Sequence, residues 1–208
     1  LLTVHSAAGR LYEVDTRLRP SGKGGLLVQS IAGFGDYQRS EAWTWEHQAL
    51  LRARAVAGPP ALREQFESVR CDILRFGIRR ETLRDEVRRM RERMRSELSR
   101  SGPGQFDIKQ DPGGITDIEF LAQYWTLLWS ERHAELVTYS DNIRQLESLA
   151  SIDLVSQQTV DVLTGAYRAY RQRMHHLSLE AAETVVPATE FAETRAAVSA
   201  IWDEVMGK

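Results

Sequence analysis

Two acids and two arginines stand at alternating positions near the start of the chain. Residues 9–20 read Gly-Arg-Leu-Tyr-Glu-Val-Asp-Thr-Arg-Leu-Arg-Pro. In an extended strand, Tyr12, Val14, Thr16 and Leu18 share one face, while Glu13, Asp15, Arg17 and Arg19 share the other. The first face suits a pleated surface packed on a core. The second can do chemistry, because a carboxylate can hold Mg²⁺ and guanidinium groups grip phosphate oxygens in pairs. Side chains two residues apart on a strand lie about 7 Å apart, close enough to share one triphosphate. The same row also fits an exposed edge strand whose acids and bases only pair with each other.

A second group of chemistry-bearing residues runs Lys109-Gln110-Asp111-Pro112-Gly113-Gly114-Ile115-Thr116-Asp117-Ile118-Glu119. A Gly-Gly pair opening a helix turns backbone N–H groups toward an anion, with Lys109 just upstream to meet a phosphate. The plainer reading is a tight turn, with Asp117 and Glu119 favouring the helix dipole. Elsewhere the signals are weaker. Trp43 and Trp45 point in different directions on a helix, one into the core and the other onto the sheet. Glu46 and His47 suit a local polar pair. His175 and His176 lack a metal-ligand pattern and fit a core edge. The arginines of residues 79–95 interleave with Glu81, Asp85, Glu86 and Glu92, and Asp85 and Arg89 make an i, i+4 pair. That run reads as a solvated helix face, not a nucleic-acid platform.

The elements that must position these residues follow from the patterning. Residues 1–5, 10–19 and 26–29 read as strands. Ser30 then caps a short helix holding Phe34 and Tyr37, and residues 40–57 form a longer one ended by Gly58-Pro59-Pro60. Helical spacing continues over 61–76 and 79–98, a short extended piece covers 106–109, and a helix apolar around most of its circumference covers 115–129. Helices over 141–150, 155–182 and 190–205 complete the chain. The fold class is therefore mainly α, α+β overall, with the end of a mixed sheet followed by a helical bundle.

The 208 residues suffice for one or two domains, and 42% hydrophobic with 27% charged is ordinary for a globular protein. A net charge of −2 offers no global pull toward nucleic acid or anionic lipid. No apolar run approaches the ~20 residues of a membrane span. The single cysteine, Cys71, fits a reducing cytoplasm and a packing role. The chain starts at Leu1 and carries no signal peptide, which reads as a piece of a longer protein.

Tyr12-Glu13-Val14-Asp15-Thr16-Arg17-Leu18-Arg19-Pro20-Ser21-Gly22 resembles the C-terminal adenylyltransferase half of the bifunctional glutamine synthetase adenylyltransferase/adenylyl-removing enzymes. The likeness continues through Glu41-Ala42-Trp43-Thr44-Trp45-Glu46-His47-Gln48-Ala49-Leu50, Phe106-Asp107-Ile108-Lys109, Gly113-Gly114-Ile115-Thr116-Asp117-Ile118-Glu119-Phe120 and Ser140-Asp141-Asn142. It implies the incomplete C-terminal portion of a nucleotidyltransferase domain over residues 1–58 and a helical domain over 59–208 covering the nucleotide. It also implies transfer of AMP from ATP to a tyrosine of glutamine synthetase, with Mg²⁺ as cofactor and the PII signalling protein as a second partner. Asp15 matches the third acid of the metal site, the catalytic carboxylate, with Glu13 a further metal-ligand candidate on the same face. Arg17, Arg19, Lys109, Gly113 and Gly114 are the candidates for binding ATP. The family's Gly-Ser turn and Asp-x-Asp lie upstream of what this chain contains, so the stretch alone is expected to be inactive. An alternative is a non-catalytic helical module that binds PII or glutamine synthetase. The Trp-Thr-Trp-Glu-His wording argues against a uridylyltransferase.

Overall fold

The computed structural model describes Gly9, Asp15, Thr16 and residues 19–207. A single 3-10 turn at Gly22–Gly24 precedes α1 (Ile31–Ser40), α2 (Thr44–Leu51), α3 (Pro60–Phe76) and α4 (Arg80–Leu98). Strand β1 (Gln105–Asp107) leads into α5 (Ile115–Trp129). A 3-10 turn at Ala134–Val137, α6 (Asn142–Ser151), α7 (Gln157–Leu179), β2 (Val185–Pro187) and α8 (Ala192–Met206) follow.

Helix α5 is the axis of the bundle, touching α2, α4, α6, α7 and α8. Its sequence explains why. Ile118, Leu121, Ala122 and Leu127 are fully buried, and Ile115, Phe120, Tyr124 and Trp125 nearly so, leaving almost no polar stripe for solvent. Each such large side chain contributes roughly 1.5–3 kcal/mol on burial. The neighbours are ordinary amphipathic helices. α3 buries Ile73 and Leu74, and α4 buries Leu83 and Val87. Leu50 and Leu51 of α2 join the same core as these residues.

Polar side chains start several helices. Ser30 accepts from the Gly33 N–H at 3.1 Å, Asp141 from Arg144 N–H at 3.0 Å, and Ser156 from Thr159 N–H at 3.1 Å. At α2, Glu46 reaches back to accept the Trp43 N–H at 2.9 Å. That cap divides the expected helix of residues 40–57, which is confined to Thr44–Leu51. Trp43 is 67% exposed and Trp45 40%, so neither is a core residue. The Asp85 carboxylate pairs with Arg88 rather than Arg89, which bonds the Asp85 carbonyl instead.

The sheet differs from expectation. β1 and β2 pair antiparallel with Phe106 opposite Val186, and both come from the later part of the chain. The expected strand at residues 26–29 is not formed, and Leu26, Leu27 and Val28 are exposed. Of the expected strand at 10–19 only Asp15, Thr16 and Arg19 are described, none of them in a strand, and the strand expected at 1–5 lies outside the described residues.

Candidate functional site

A cleft of about 840 Å³ opens between α2, α4 and α5. Arg19 and Lys109, ninety positions apart in sequence, both line it, together with Glu119 and Gln123 of α5. Its walls are largely apolar, including Phe34 and Phe66, whose ring centroids lie 5.8 Å apart, and Met90 and Met94 of α4. Such a space, with cations at its edge and flat apolar walls, suits an anionic ligand that carries a hydrophobic ring.

Lys109 is exposed on the loop between β1 and α5. Beneath it, buried Asp107 accepts from the N–H groups of Lys109 at 2.9 Å and Gln110 at 3.2 Å, and from the Thr184 hydroxyl at 3.1 Å. Asp111 closes the loop by accepting from Asp107 N–H at 2.9 Å and Ser99 Oγ at 2.7 Å. Burial pushes the Asp111 carboxyl up. Hydrogen bonds from Ser99, Ser101 and the Asp107 amide, with the charge of Arg195, outweigh this and hold it below its ordinary value.

The glycines stand differently. Gly113 and Gly114 are buried and are not among the residues lining the cleft. The Gly113 N–H donates to Asp117 at 2.7 Å, and the Gly114 N–H to the Asp111 carbonyl at 2.9 Å. Gly113 has φ +76°, and a Cβ there would come within 2.3 Å of the Arg195 carbonyl, so the position admits only glycine. Tyr170 donates its hydroxyl to the Gly113 carbonyl at 3.0 Å. Burial raises the Tyr170 pKa, keeping it a neutral donor.

Asp117 is the buried anchor of this loop. Arg91, fully buried on α4, donates Nε–H at 2.6 Å, and Arg95 adds a longer contact at 3.4 Å. Burial lowers the Arg91 pKa and the Asp117 charge opposes it. The helix-dipole reading of Asp117 missed this pairing, because its partner lies 26 residues away. The only sequence signal is an arginine within the spacing of the α4 core residues.

Glu119, one turn of chain beyond the glycines, is half-buried at the cleft. Its Oε1 receives Asn142 Nδ2 at 3.2 Å, Tyr167 OH at 3.4 Å and Arg52 Nη1 at 3.4 Å. Arg70 of α3 is another residue the patterning hid. It is buried, donating to the carbonyls of Leu50 at 3.0 Å, Leu51 at 2.8 Å and Val137 at 3.0 Å.

Arg19 is half-buried and bonds the carbonyls of Gly25, at 3.4 Å, and Thr16, which places it at the turn following residue 16. Asp15 is exposed. Glu13 and Arg17 lie outside the described residues. Among the described residues no three His, Cys, Asp or Glu side chains gather as a metal site, so they do not form one by themselves. Glu46 and His47 bond other groups rather than each other. Glu46 accepts from Tyr37 OH at 2.9 Å, and buried His47 Nε2 donates to the Gln38 carbonyl at 2.9 Å. Burial lowers the His47 pKa, against the Gln38 bond, and leaves it a neutral structural donor. His175 and His176 are exposed on α7. No helix among the described residues is long and apolar enough to cross a membrane.

Residues 1–69 match the family model described as glutamate-ammonia ligase adenylyltransferase, and residues 84–199 match that of the PII-uridylyltransferase GlnD. The helical part is thus similar to a uridylyltransferase as well, and the wording that marks adenylyl transfer sits in the first 69 residues. Over 206 residues the chain is 50% identical to a bifunctional glutamine synthetase adenylyltransferase/adenylyl-removing enzyme of Thioalkalivibrio sulfidiphilus (strain HL-EbGR7). That covers 99% of this chain and 21% of the relative, so the chain spans about a fifth of that protein's length. That match takes in the residues that build the cleft and the loop beneath Lys109, and through residues 84–199, more than half of its length, the chain belongs to the family whose model is described as GlnD PII-uridylyltransferase.

Proposed function

We propose that this stretch is the C-terminal part of a unit that transfers AMP from ATP to a tyrosine of glutamine synthetase in the cytoplasm, releasing pyrophosphate. The observation that carries the reading is the meeting of Arg19 and Lys109 on one apolar-walled cleft. In this reading the cleft takes ATP, with both cations on its phosphates and Arg17 as a further cation for them. The buried Gly113-Gly114 turn acts by holding Lys109 in place. Asp15 and Glu13 supply carboxylate toward Mg²⁺, and the remaining ligands come from outside this chain. Residues 1–58 form the C-terminal portion of a nucleotidyltransferase domain and 59–208 the helical domain, which also offers surface to glutamine synthetase and PII.

The test is transfer of labelled AMP to glutamine synthetase by this chain and by one extended upstream through two further acids. Labelling by the longer chain alone is expected, and its loss in Asp15→Asn with the fold intact. Strong labelling by the short chain would overturn the metal assignment. An unchanged rate in Asp15→Asn would leave a binding module for PII or glutamine synthetase as the better reading.

A further inference from the structure

The carboxylate of Glu119 is held in an unusual way. All three of its donors, Arg52 Nη1, Asn142 Nδ2 and Tyr167 OH, converge on Oε1. Oε2 makes no hydrogen bond among the described residues, and the side chain keeps 21% of its surface at the cleft. Three elements thus fix the group from behind: the end of α2, the start of α6 and the middle of α7. An oriented carboxylate with one uncommitted oxygen is an acceptor waiting for a donor, and its bonds to a ligand are charge-assisted.

The surroundings narrow what that donor is. The cations of the cleft, Arg19 and Lys109, suit a phosphate chain, and its apolar walls suit a ring. A carboxylate would repel phosphates. It fits the part of a nucleotide that carries hydroxyl donors and no charge, the ribose, whose vicinal hydroxyls are commonly read by an acidic side chain. Gln123 stands one helical turn along α5 and lines the same cleft, so Glu119 is followed on its face by an amide.

We propose that Glu119 reads the ribose hydroxyls of the bound nucleotide and selects ribonucleotides over deoxy forms. This rests on the reading of the cleft as the ATP site. Arg52, Asn142 and Tyr167 are positioning residues that aim Oε2.

The experiment compares ATP with 2′,3′-dideoxy-ATP by competition binding on the full-length protein, unaltered and as Glu119→Ala. The unaltered protein should prefer ATP about tenfold, the size of one charge-assisted hydrogen bond. Glu119→Ala should bind the two equally, through weaker binding of ATP with dideoxy-ATP unchanged. Tyr167→Phe, which removes one aiming donor and keeps the carboxylate, should reduce the preference part of the way and serves if Glu119→Ala does not fold. No preference in the unaltered protein, or a full preference retained by either variant, would overturn the ribose assignment while leaving the ATP site standing. Failure of the unaltered protein to bind either nucleotide would remove the parent reading and this one together.

Discussion

Lys109 and Arg19 line the same cleft, but the protein beneath them is built in two different ways. Under Lys109, Asp107, Asp111 and Asp117 take up backbone N–H groups of the loop, a buried arginine holds Asp117, and Gly113 is wedged against α8. Arg19 bonds the nearby carbonyls of Thr16 and Gly25, and the residues that follow leave Leu26, Leu27 and Val28 exposed. One cation stands on a platform welded into the core, the other on a short surface turn. The lesson is that the cleft has a preset wall and an adjustable one, and that damage to the first is paid in folding whereas damage to the second registers in binding.

The largest test of that contrast is Asp117→Ala, which leaves Arg91 buried and uncompensated. It should cost about 3–5 kcal/mol in urea unfolding. Adding Arg91→Met should recover most of the loss, and failure to do so would mean the loop, not the charge, is the weak point. Gly113→Ala should follow at about 3 kcal/mol, combining a left-handed backbone with a close approach to the Arg195 carbonyl. A cost under 1 kcal/mol would show that α8 yields readily.

Acid provides a graded probe of the buried framework at two places, α2 and the loop under Lys109. His47 has a folded pKa below its ordinary 6.5, so its contribution is present above that value and is lost as pH falls toward the folded pKa. Asp111 is likewise depressed, and its contribution holds above about 3.8 and fades below it. Stability should therefore fall in two stages on acidification. His47→Gln should flatten the first stage and Asp111→Asn the second, as read by thermal melts across pH. The smallest effect belongs to the adjustable side: Leu27→Ser should change stability by less than about 0.5 kcal/mol.

Sequence patterning reached different depths in these two parts. The bounds of α5 were legible because apolar residues from Ile115 to Trp129 fall around most of the helix circumference and a glycine pair precedes it. Ser30 announced its helix as a cap, and 106–109 read as extended, because caps and short strands are local signals. What escaped was settled at a distance. Glu46 caps Trp43 and so divides a helix whose residues would otherwise continue it. Arg70 and Arg91 occupy core spacing that patterning assigns to apolar residues, and the backbone carbonyls they hold lie 19 or more positions away. The exposed run at residues 26–28 has strand-forming residues and no neighbouring strand among the described residues. Among the site residues, Arg19 and Lys109 were named on chemistry and the cleft brings them together, while the oriented oxygen of Glu119 could be seen only with Asn142 and Tyr167 in place.

Arg70 has a consequence for how the molecule breathes. Helix α2 is only eight residues long, too short to persist by itself. Its last two carbonyls, of Leu50 and Leu51, and that of Val137 hang from a single guanidinium on α3. Fraying at that end therefore strands a buried cation, and α2, α3 and the turn at Ala134–Val137 open as one cooperative unit. Amide hydrogens of α2 should exchange with solvent as slowly as those of α3, although a helix of that length would ordinarily exchange within moments. Passage of a ligand past Trp45 and Gln48 is then a matter for side-chain rotation and the Arg19 side, with the helix itself remaining wound.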